Sequence, residues 1–214
     1  MVRRHFSLLV ALALFAGASA APAATNTARP ATILVLGDSL SAEYGLQRGQ
    51  GWVALLQARL GQERSSAQVI NASVSGDTTS GGRSRLPALL KQHQPRLVII
   101  ELGGNDALRG LPLAMSQDNL QSMVRAAKAS GAKVLLVGMQ VPPNYGQTYA
   151  KQFADAFSQV AKEQQVALVP FLLKGVADGP DADKMFQADR IHPVAQAHPI
   201  ILNTLWPAVK KLLG

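Results

Sequence analysis

Five short apolar runs recur along the chain, and each is closed by Gly, Pro, Asn or another residue that favours turns. Runs rich in Val, Ile and Leu that stop at such residues are typical of buried β-strands. The third run is apolar almost throughout, as expected for a central parallel strand that is covered on both faces. The predicted strands are 31–35, 68–72, 97–102, 133–138 and 166–170.

Between the runs, apolar residues recur at the spacing of one helix face, as Trp52 and Leu56 do. The last predicted helix starts near Pro199 and is expected to bend or break at Pro207, because proline cannot donate the helical hydrogen bond. The connection at 171–188 is predicted to be mostly irregular. The other predicted helices are 50–64, 83–92, 113–130 and 149–164.

This alternation of strands and helices predicts an α/β fold, since parallel strands need crossover connections between them. We expect a three-layer α/β/α sandwich around a flavodoxin-like, five-stranded parallel sheet with the strand order 2-1-3-4-5. Strands 2, 1 and 3 are neighbours in that order, so the residues that follow them meet at one edge of the sheet. Open α/β sheets place their ligand sites at this carboxyl edge.

The candidate catalytic residues lie at this edge and near the C-terminus. Ser39 follows the first predicted strand, but a serine hydroxyl is a weak nucleophile until a positioned base takes its proton. His192 is a candidate base, and Asp189, three residues earlier, is a carboxylate that could orient it. Pro193 disfavours the α conformation at His192, which favours an extended residue that projects from its loop. We therefore predict a catalytic triad of Ser39, Asp189 and His192.

Two further residues could stabilise the oxyanion of an acyl-transfer reaction, together with the backbone N–H of Ser39. Gly76 follows the second strand and lets a backbone N–H approach a ligand closely. Asn105 follows the third strand, in the sequence Gly-Gly-Asn-Asp, and has a side-chain amide to donate. Asn is common in turns for local reasons, but its position after a central strand favours a role in the chemistry.

Other polar residues near these positions are interpreted as structural. Asp38 and Asp77 are predicted to accept hydrogen bonds that stabilise their loops. His93 is expected at the surface near the end of a helix. His198 also precedes a proline but has no carboxylate three residues before it, so we interpret it as a helix-start residue.

A different class of function rests on the segment 75–82, which is rich in Ser, Thr and Gly and precedes a helix. Such a segment can bind the phosphate of a ligand or of a flavin through backbone N–H groups. A phosphate- or flavin-binding module of this kind leaves the pairing of Asp189 with His192 unused. A protein that only binds lipid or glycan is disfavoured by the complete set of candidate catalytic residues. The G-x-S-x-G pattern of the α/β-hydrolase elbow is absent.

These motifs, in this order, resemble those of the SGNH hydrolases of the GDSL family. Ser39 lies in GDSLS, Gly76 in NASVSGDTT, Asn105 in GGND, and His192 in the DxxHP pattern. Through WVALLQARL, ELGGNDALRG and VPPNYG the chain is similar to the bacterial periplasmic thioesterase I, lysophospholipase and arylesterase subgroup.

The resemblance implies a serine esterase that cleaves aryl esters, acyl thioesters and lysophospholipids through an acyl-serine intermediate. It implies no metal and no other cofactor. Hydrolysis of carbohydrate acetyl esters on the same fold is an alternative. Arg190 departs from the family pattern, in which many members carry Gly, and its cation could alter substrate preference.

The substrate pocket is harder to predict, because loop conformations set its depth. The candidates are Leu108, Pro143 and Tyr145. Two of them lie in a loop stiffened by prolines, which could wall an acyl pocket or could serve ordinary loop packing. We expect a small-molecule ester or thioester as substrate, and a monomeric protein.

Composition sets the domain organisation. Residues 1–24 are predicted to be a secretory signal peptide with cleavage near 20 or 24, because two Arg residues precede a short apolar run and several small residues. The apolar run is too short for a membrane anchor, and a periplasmic or secreted location follows. Residues 25–31 are predicted to be a flexible lead-in, and 32–214 the hydrolase domain.

Charge and cysteine content exclude several other functions. The formal net charge of +8 is scattered and is not interleaved with aromatic residues, so nucleic-acid binding is disfavoured. The chain has no cysteine, which excludes disulfides and cysteine-based metal sites. The hydrophobic content of 48% over 214 residues is typical of one domain with a sizeable core.

Overall fold

The computed structural model describes Met1 and residues 30–214, so the predicted signal peptide beyond Met1 and the lead-in up to residue 29 lie outside the described residues. Five parallel strands form one sheet in the order β2-β1-β3-β4-β5, which confirms the predicted fold class. The strands are β1 (Thr32–Gly37), β2 (Gln68–Asn71), β3 (Leu97–Glu101), β4 (Lys133–Val137) and β5 (Ala167–Val169).

Six α-helices connect or follow the strands. They are α1 (Trp52–Gln62), α2 (Thr79–His93), α3 (Gly104–Leu108), α4 (Leu113–Ala129), α5 (Gln147–Gln164) and α6 (His198–Leu213). Short 3-10 helices occur at Pro143–Tyr145, Ala182–Lys184 and Ala195–Ala197. No helix within the described part of the chain is both long and apolar enough to cross a lipid bilayer.

Alternate residues of the central strands divide the core into two layers. Ile33 and Val35 of β1 pack with α1 and α6 on one face of the sheet. Leu34 and Leu36 pack with α2, α4 and α5 on the other face. Because successive side chains of a strand point to opposite faces, a strand covered by helices on both sides is apolar at every position. The sheet is thereby held rigidly, and the loops at its carboxyl edge start from fixed points.

Two features of the predicted helices, the start of α2 and the interruption at Pro207, differ from the structure. α2 begins at Thr79 rather than at 83, because Thr78 accepts a hydrogen bond from the Gly81 N–H and caps the helix. α6 begins at His198 and continues through Pro207, where the sequence predicts a bend or break. Loss of one helical hydrogen bond at a proline costs roughly 3 kcal/mol. Each fully buried apolar side chain on α6, such as Leu205, contributes about 1.5 to 3 kcal/mol, so packing keeps the helix continuous.

The segment after β3 also differs from its prediction as a turn. Residues Gly104–Leu108 form the short helix α3, which begins after Gly103 at a φ of 123°. A Cβ atom on Gly103 would lie 3.1 Å from the ring of Phe157, so the close approach of α5 and the positive φ both favour glycine there. The helix carries Asn105 in its first turn, directly above the end of the central strand.

Candidate active site

Ser39, His192 and Asp189 form one continuous hydrogen-bonded path. The Ser39 Oγ lies 2.8 Å from the Nε2 of His192, and the Nδ1 of the same ring lies 2.7 Å from an Asp189 oxygen. Asp189 accepts the Nδ1 hydrogen, which leaves the Nε2 lone pair to accept the serine proton. The structure therefore brings together the three residues that the sequence predicts as a triad, although 153 positions separate the serine from the histidine.

The loop that carries His192 is closed at its base by a short antiparallel bridge between Phe186 and Pro193. The Gln187 N–H donates to the carbonyl of His192 at 2.8 Å, which narrows the loop further. Pro193 needs an extended residue before it, and this geometry turns the imidazole away from the loop towards Ser39. The direction of the base is thus set by the backbone of its own loop.

Asp189 is held by the residues that immediately follow it. One carboxylate oxygen accepts hydrogen bonds from the backbone N–H groups of Ile191 at 2.9 Å and His192 at 3.0 Å. Partial desolvation raises the pKa of Asp189, but these two hydrogen bonds and the His192 ring outweigh it and hold the pKa at about 2. Asp189 is consequently a carboxylate at any pH near neutrality, as an orienting partner of the base needs to be.

Arg190 has a left-handed backbone, with a φ of 59°. Residues with a side chain are rare in this region and strained there, whereas glycine adopts it freely. This conformation favours glycine over the arginine that the chain carries. The loop between Asp189 and His192 therefore keeps its tight turn at an energetic cost.

The backbone N–H groups of Ser39 and Gly76 donate no hydrogen bond to any of the described residues. Gly76 has a φ of 79°, which turns its peptide in a way that few other residues allow. The carbonyl of Gly76 accepts a hydrogen bond from the Arg109 guanidinium at 2.8 Å, which holds the peptide after the one that carries the Gly76 N–H. The Asp77 N–H donates to the Val74 carbonyl at 3.0 Å and closes the turn whose central peptide carries the Gly76 N–H. Two fixed N–H donors without partners at the carboxyl edge are available to a ligand oxygen.

Asn105 lies in α3, where its amide nitrogen donates one hydrogen bond to the Asp38 carboxylate at 3.1 Å. An amide nitrogen has two hydrogens, so one remains for a ligand. Asp38 is buried, and its other oxygen accepts from the Leu40 N–H at 3.0 Å. Burial raises the pKa of Asp38 to about 6, although the hydrogen bonds from Leu40 and Asn105 oppose the shift.

The predicted loop-stabilising roles of Asp38 and Asp77 agree with their contacts. Asp77 accepts a hydrogen bond from the Thr78 N–H at 2.9 Å and forms an ion pair with Arg85 at 2.7 Å. Asp106 accepts from the Thr79 N–H at 2.9 Å. These carboxylates occupy the N–H groups at the start of α2 that a phosphate would need, and they repel an anion. The geometry therefore disfavours the phosphate- or flavin-binding interpretation.

Within the described residues, the other two histidines, His93 and His198, form no contact with Ser39. His93 is the last residue of α2, as predicted. His198 starts α6, as predicted, and is buried, with its Nδ1 accepting a hydrogen bond from the Trp52 N–H at 3.0 Å. Desolvation lowers the pKa of His198, which keeps it a neutral link between α1 and α6.

Sequence reasoning missed two residues that join the nucleophile loop to the histidine loop. The Tyr44 ring lies 4.3 Å from the His192 ring, centroid to centroid, at an interplanar angle of 35°. The Gln187 amide donates to the Tyr44 carbonyl at 2.9 Å and to the Pro193 carbonyl at 3.1 Å. No periodicity or motif marks these residues, because the contacts that join the two loops, Tyr44 with His192 and Gln187 with Tyr44, span more than a hundred positions.

Five large apolar side chains of residues 30–214 are exposed. Each lies in the segment that follows a different strand of the sheet, after its carboxyl end. They include the predicted pocket residues Leu108 and Tyr145, and Pro143 begins the 3-10 helix that ends at Tyr145. The five are Tyr44, Val74, Leu108, Tyr145 and Ile191. We refer to these five residues as the apolar rim. Within the described residues, no three His, Asp or Glu side chains are grouped to hold a metal ion.

Comparison with known proteins assigns the chain to a family. Residues 35–200 match the GDSL-like lipase/acylhydrolase family, and the chain belongs to that family. The fold and the family together define an SGNH-type serine hydrolase of the esterase class.

Several relatives extend over nearly the whole chain. Esterase TesA of Pseudomonas aeruginosa is 52% identical over 200 residues, which are 94% of this chain and 98% of the relative. An arylesterase of Vibrio mimicus is 44% identical, covering 90% and 92%. Thioesterase 1/protease 1/lysophospholipase L1 of Escherichia coli K12 is 42% identical, covering 86% and 85%. A crystal structure of TesA superposes with a TM-score of 0.81 at 54% identity, covering 85% of this chain and 99% of that one.

Proposed function

We propose that the chain hydrolyses carboxylic esters and thioesters through an acyl-serine intermediate, with Ser39 as nucleophile, His192 as general base and acid, and Asp189 as the residue that orients His192. The observation that carries this proposal is the unbroken path from the Ser39 Oγ through both ring nitrogens of His192 to Asp189. A serine hydroxyl with this support is an activated nucleophile.

In the first step the Ser39 Oγ forms a bond to the ester carbonyl carbon while its proton passes to the His192 Nε2. The negative charge on Asp189 stabilises the imidazolium that results. When the tetrahedral intermediate collapses, the bond to the leaving group breaks and His192 returns the proton to that group. Water then repeats the sequence on the acyl-serine, with His192 again as the base, and releases the acid.

The oxyanion of each tetrahedral intermediate is assigned to the backbone N–H groups of Ser39 and Gly76 and to the Asn105 amide. The unpartnered state of both N–H groups supports this assignment. So does the turn closed by the Asp77 N–H and the Val74 carbonyl, because a donor that is held in place costs no reorganisation during the reaction.

The apolar rim supports acyl and aryl esters as substrates. An exposed apolar side chain follows every strand, and together these side chains offer a surface that an acyl chain or an aromatic leaving group can cover. A polar sugar is less complementary to such a surface. The names of the relatives include an arylesterase, a thioesterase and a lysophospholipase, and we extend these three activities to this chain. Leu108, Pro143 and Tyr145 are assigned to the substrate pocket. We further propose that residues 1–24 direct export to the periplasm or outside the cell, and that the mature enzyme is a monomer without cofactor.

The test is hydrolysis of p-nitrophenyl esters from acetate to decanoate by the mature protein and by a Ser39→Ala variant. We expect activity that is lost in the variant and retained in a Ser122→Ala control, which removes an exposed hydroxyl from α4. A preference for longer acyl chains supports the lipid-directed enzyme, whereas acetate alone supports the carbohydrate acetyl esterase. Activity that persists in Ser39→Ala contradicts the proposal.

A further inference from the structure

Glu101, the last residue of β3, places a carboxyl group in the interior beneath the nucleophile loop. It is buried, and it lies opposite Gly37 in the register of β1 with β3. A Cβ atom on Gly37 would lie 2.8 Å from the Glu101 Oε2 and equally close to Ser41. The missing side chain at Gly37 therefore leaves the space through which Glu101 reaches the nucleophile loop.

The Glu101 carboxyl is fully engaged at this position. It accepts hydrogen bonds from the Ser41 hydroxyl at 2.7 Å and, more weakly, from the Asp38 N–H at 3.4 Å. The Trp52 indole donates to the same Ser41 hydroxyl at 3.2 Å, so α1 is connected to the cluster.

Two neighbouring carboxyl groups in the interior cannot both be ionised at low cost. Burial raises the pKa of Glu101 well above its ordinary value, and the charge on Asp38 raises it further. Asp38 receives two N–H hydrogen bonds that favour its ionised form, from Leu40 and Asn105. Burial and the charge on Asp38 therefore both oppose ionisation of Glu101, whereas the two N–H donors favour ionisation of Asp38.

We propose that Glu101 is a positioning residue for the oxyanion site: it accepts from the Ser41 hydroxyl and the Asp38 N–H and so fixes the start of the nucleophile loop, where the Asp38 carboxylate holds the Asn105 amide with one hydrogen free for the oxyanion. The proposal rests on the function proposed for Asn105. The chain of contacts runs from Trp52 through Ser41 and Glu101 to Asp38 and Asn105, and it joins the ends of β1 and β3. Glu101 itself touches no reacting atom.

A merely structural role would give a different pattern. If Glu101 only fills and stabilises the interior, its substitution lowers the free energy of unfolding but leaves kcat unchanged in the folded enzyme. If it acts through Asn105, kcat falls with little change in KM, because the oxyanion forms only in the transition state. The effect must also disappear once the Asn105 amide is absent.

Two conservative variants separate these roles. Glu101→Gln keeps the length of the side chain and an oxygen that accepts from the Ser41 hydroxyl and the Asp38 N–H, so we expect kcat within about 3-fold of the wild type. Glu101→Asp keeps the carboxyl but withdraws it by one methylene, so we expect kcat to fall by roughly 10- to 100-fold, part of the loss that removal of an oxyanion donor causes. Both are measured on p-nitrophenyl butyrate at saturating substrate, together with KM and the free energy of unfolding in urea.

The decisive comparison adds Glu101→Asp to an Asn105→Ala variant. We expect a further loss of less than about 2-fold in that background, since the residue through which Glu101 acts is gone. The full 10- to 100-fold loss in both backgrounds would overturn the proposal, as would a wild-type kcat in Glu101→Asp. Val209→Ala, a buried change in α6 away from the loops, controls for loss of stability alone and should leave kcat unchanged.

The failure of this proposal is distinguishable from failure of the proposed function. If Ser39→Ala is inactive while Glu101→Asp is fully active, only the positioning role is wrong. If Ser39→Ala remains active, the assignment of the nucleophile is wrong. If Asn105→Ala is fully active, Asn105 is not an oxyanion donor, and the positioning role fails with it.

Discussion

The two halves of the proposed active site, an oxyanion half and a base half, are built in opposite ways. The oxyanion half, formed by Asp38, Ser39, Gly76 and Asn105, comes from loops after three different strands, and the contact of Asn105 with Asp38 spans 67 positions. The base half, formed by the segment 189–192, comes from one loop in which Asp189 contacts residues two and three positions later. One half depends on the sheet topology, whereas the other depends on a local turn.

The same contrast appears in the carboxylates of the two halves. Asp38 is buried beneath the nucleophile, and burial raises its pKa to about 6. Asp189 is more exposed, and three hydrogen bonds from the next residues hold its pKa at about 2. One carboxylate is thus tuned by what surrounds it in the fold and the other by its own backbone. Substitutions that remove a catalytic group from one half should have the largest effects. Substitutions that change the contacts or the backbone of one half should have smaller effects.

Removal of the base should have the largest effect. His192→Ala leaves the Ser39 hydroxyl without an acceptor for its proton, so we expect kcat to fall by roughly 10⁴- to 10⁶-fold with little change in the melting temperature. Turnover of p-nitrophenyl butyrate provides the measurement, and His93→Ala at the end of α2 is the matched control. A loss of only 10-fold would show that another group takes the proton.

Removal of one oxyanion donor should have a smaller effect. Asn105→Ala deletes the amide that is held against Asp38, and we expect kcat to fall by about 100- to 1,000-fold, equivalent to about 3 to 4 kcal/mol of transition-state stabilisation. KM should change little. Asn203→Ala, on the exposed side of α6, is the control for loss of an Asn side chain, and normal turnover in Asn105→Ala would remove this residue from the site.

The two carboxylates should give opposite slopes of stability against pH. The folded pKa of Asp38 is above its ordinary 3.8, so the native state binds its proton more tightly and this contribution to stability falls as pH rises from about 4 to 6. The folded pKa of Asp189 is below 3.8, so its contribution is present above pH 4 and is lost as pH falls towards 2.

Urea unfolding between pH 2 and 7 measures both slopes as differences between the wild type and single variants. The free energy of unfolding of the wild type minus that of Asp38→Asn should decrease from pH 4 to 6. The free energy of unfolding of the wild type minus that of Asp189→Asn should increase from pH 2 to 4. Slopes of the same sign would mean that the two halves do not differ electrostatically as described.

Release of the strained turn in the base half should have the smallest effect. Arg190→Gly allows the φ of 59° without a side-chain clash, and we expect a gain of about 1 kcal/mol in the free energy of unfolding. Arg190→Ala removes the same cation but keeps the strain, so it should give no comparable gain. Equal stability of the two variants would contradict the account of the turn, and any shared change in kcat/KM reports on the lost charge.

The oxyanion half also shows how far a sequence can predict a site. The predicted strand order is confirmed, and Ser39, Gly76 and Asn105 do follow three adjacent strands. These features were predictable because each of the three strands has a clear apolar pattern and is followed by its own motif. Their roles in the reaction remain predictions. The start of α2 was predictable in principle, since Thr78 is a favourable capping residue that the apolar spacing alone overlooks.

Other features have no local signal. Tyr44, Gln187 and Glu101 act through contacts with distant positions, and a single glutamate in an apolar run does not reveal that it lies over Gly37. The short helix α3 has two glycines at its start, and its residue Ala107 is buried in the core together with residues of α4 and α5. Such features depend on tertiary contacts, which the spacing of residues along the chain does not indicate.

The acyl-serine intermediate is tested most directly by a phosphonate ester that forms a stable adduct with an activated serine. The mature enzyme is treated with a p-nitrophenyl phosphonate, digested and mapped by mass spectrometry. We predict one modified peptide that contains Ser39, and its loss in both Ser39→Ala and His192→Ala. Modification of a different residue, or labelling of Ser39 that does not depend on His192, would contradict the proposed triad.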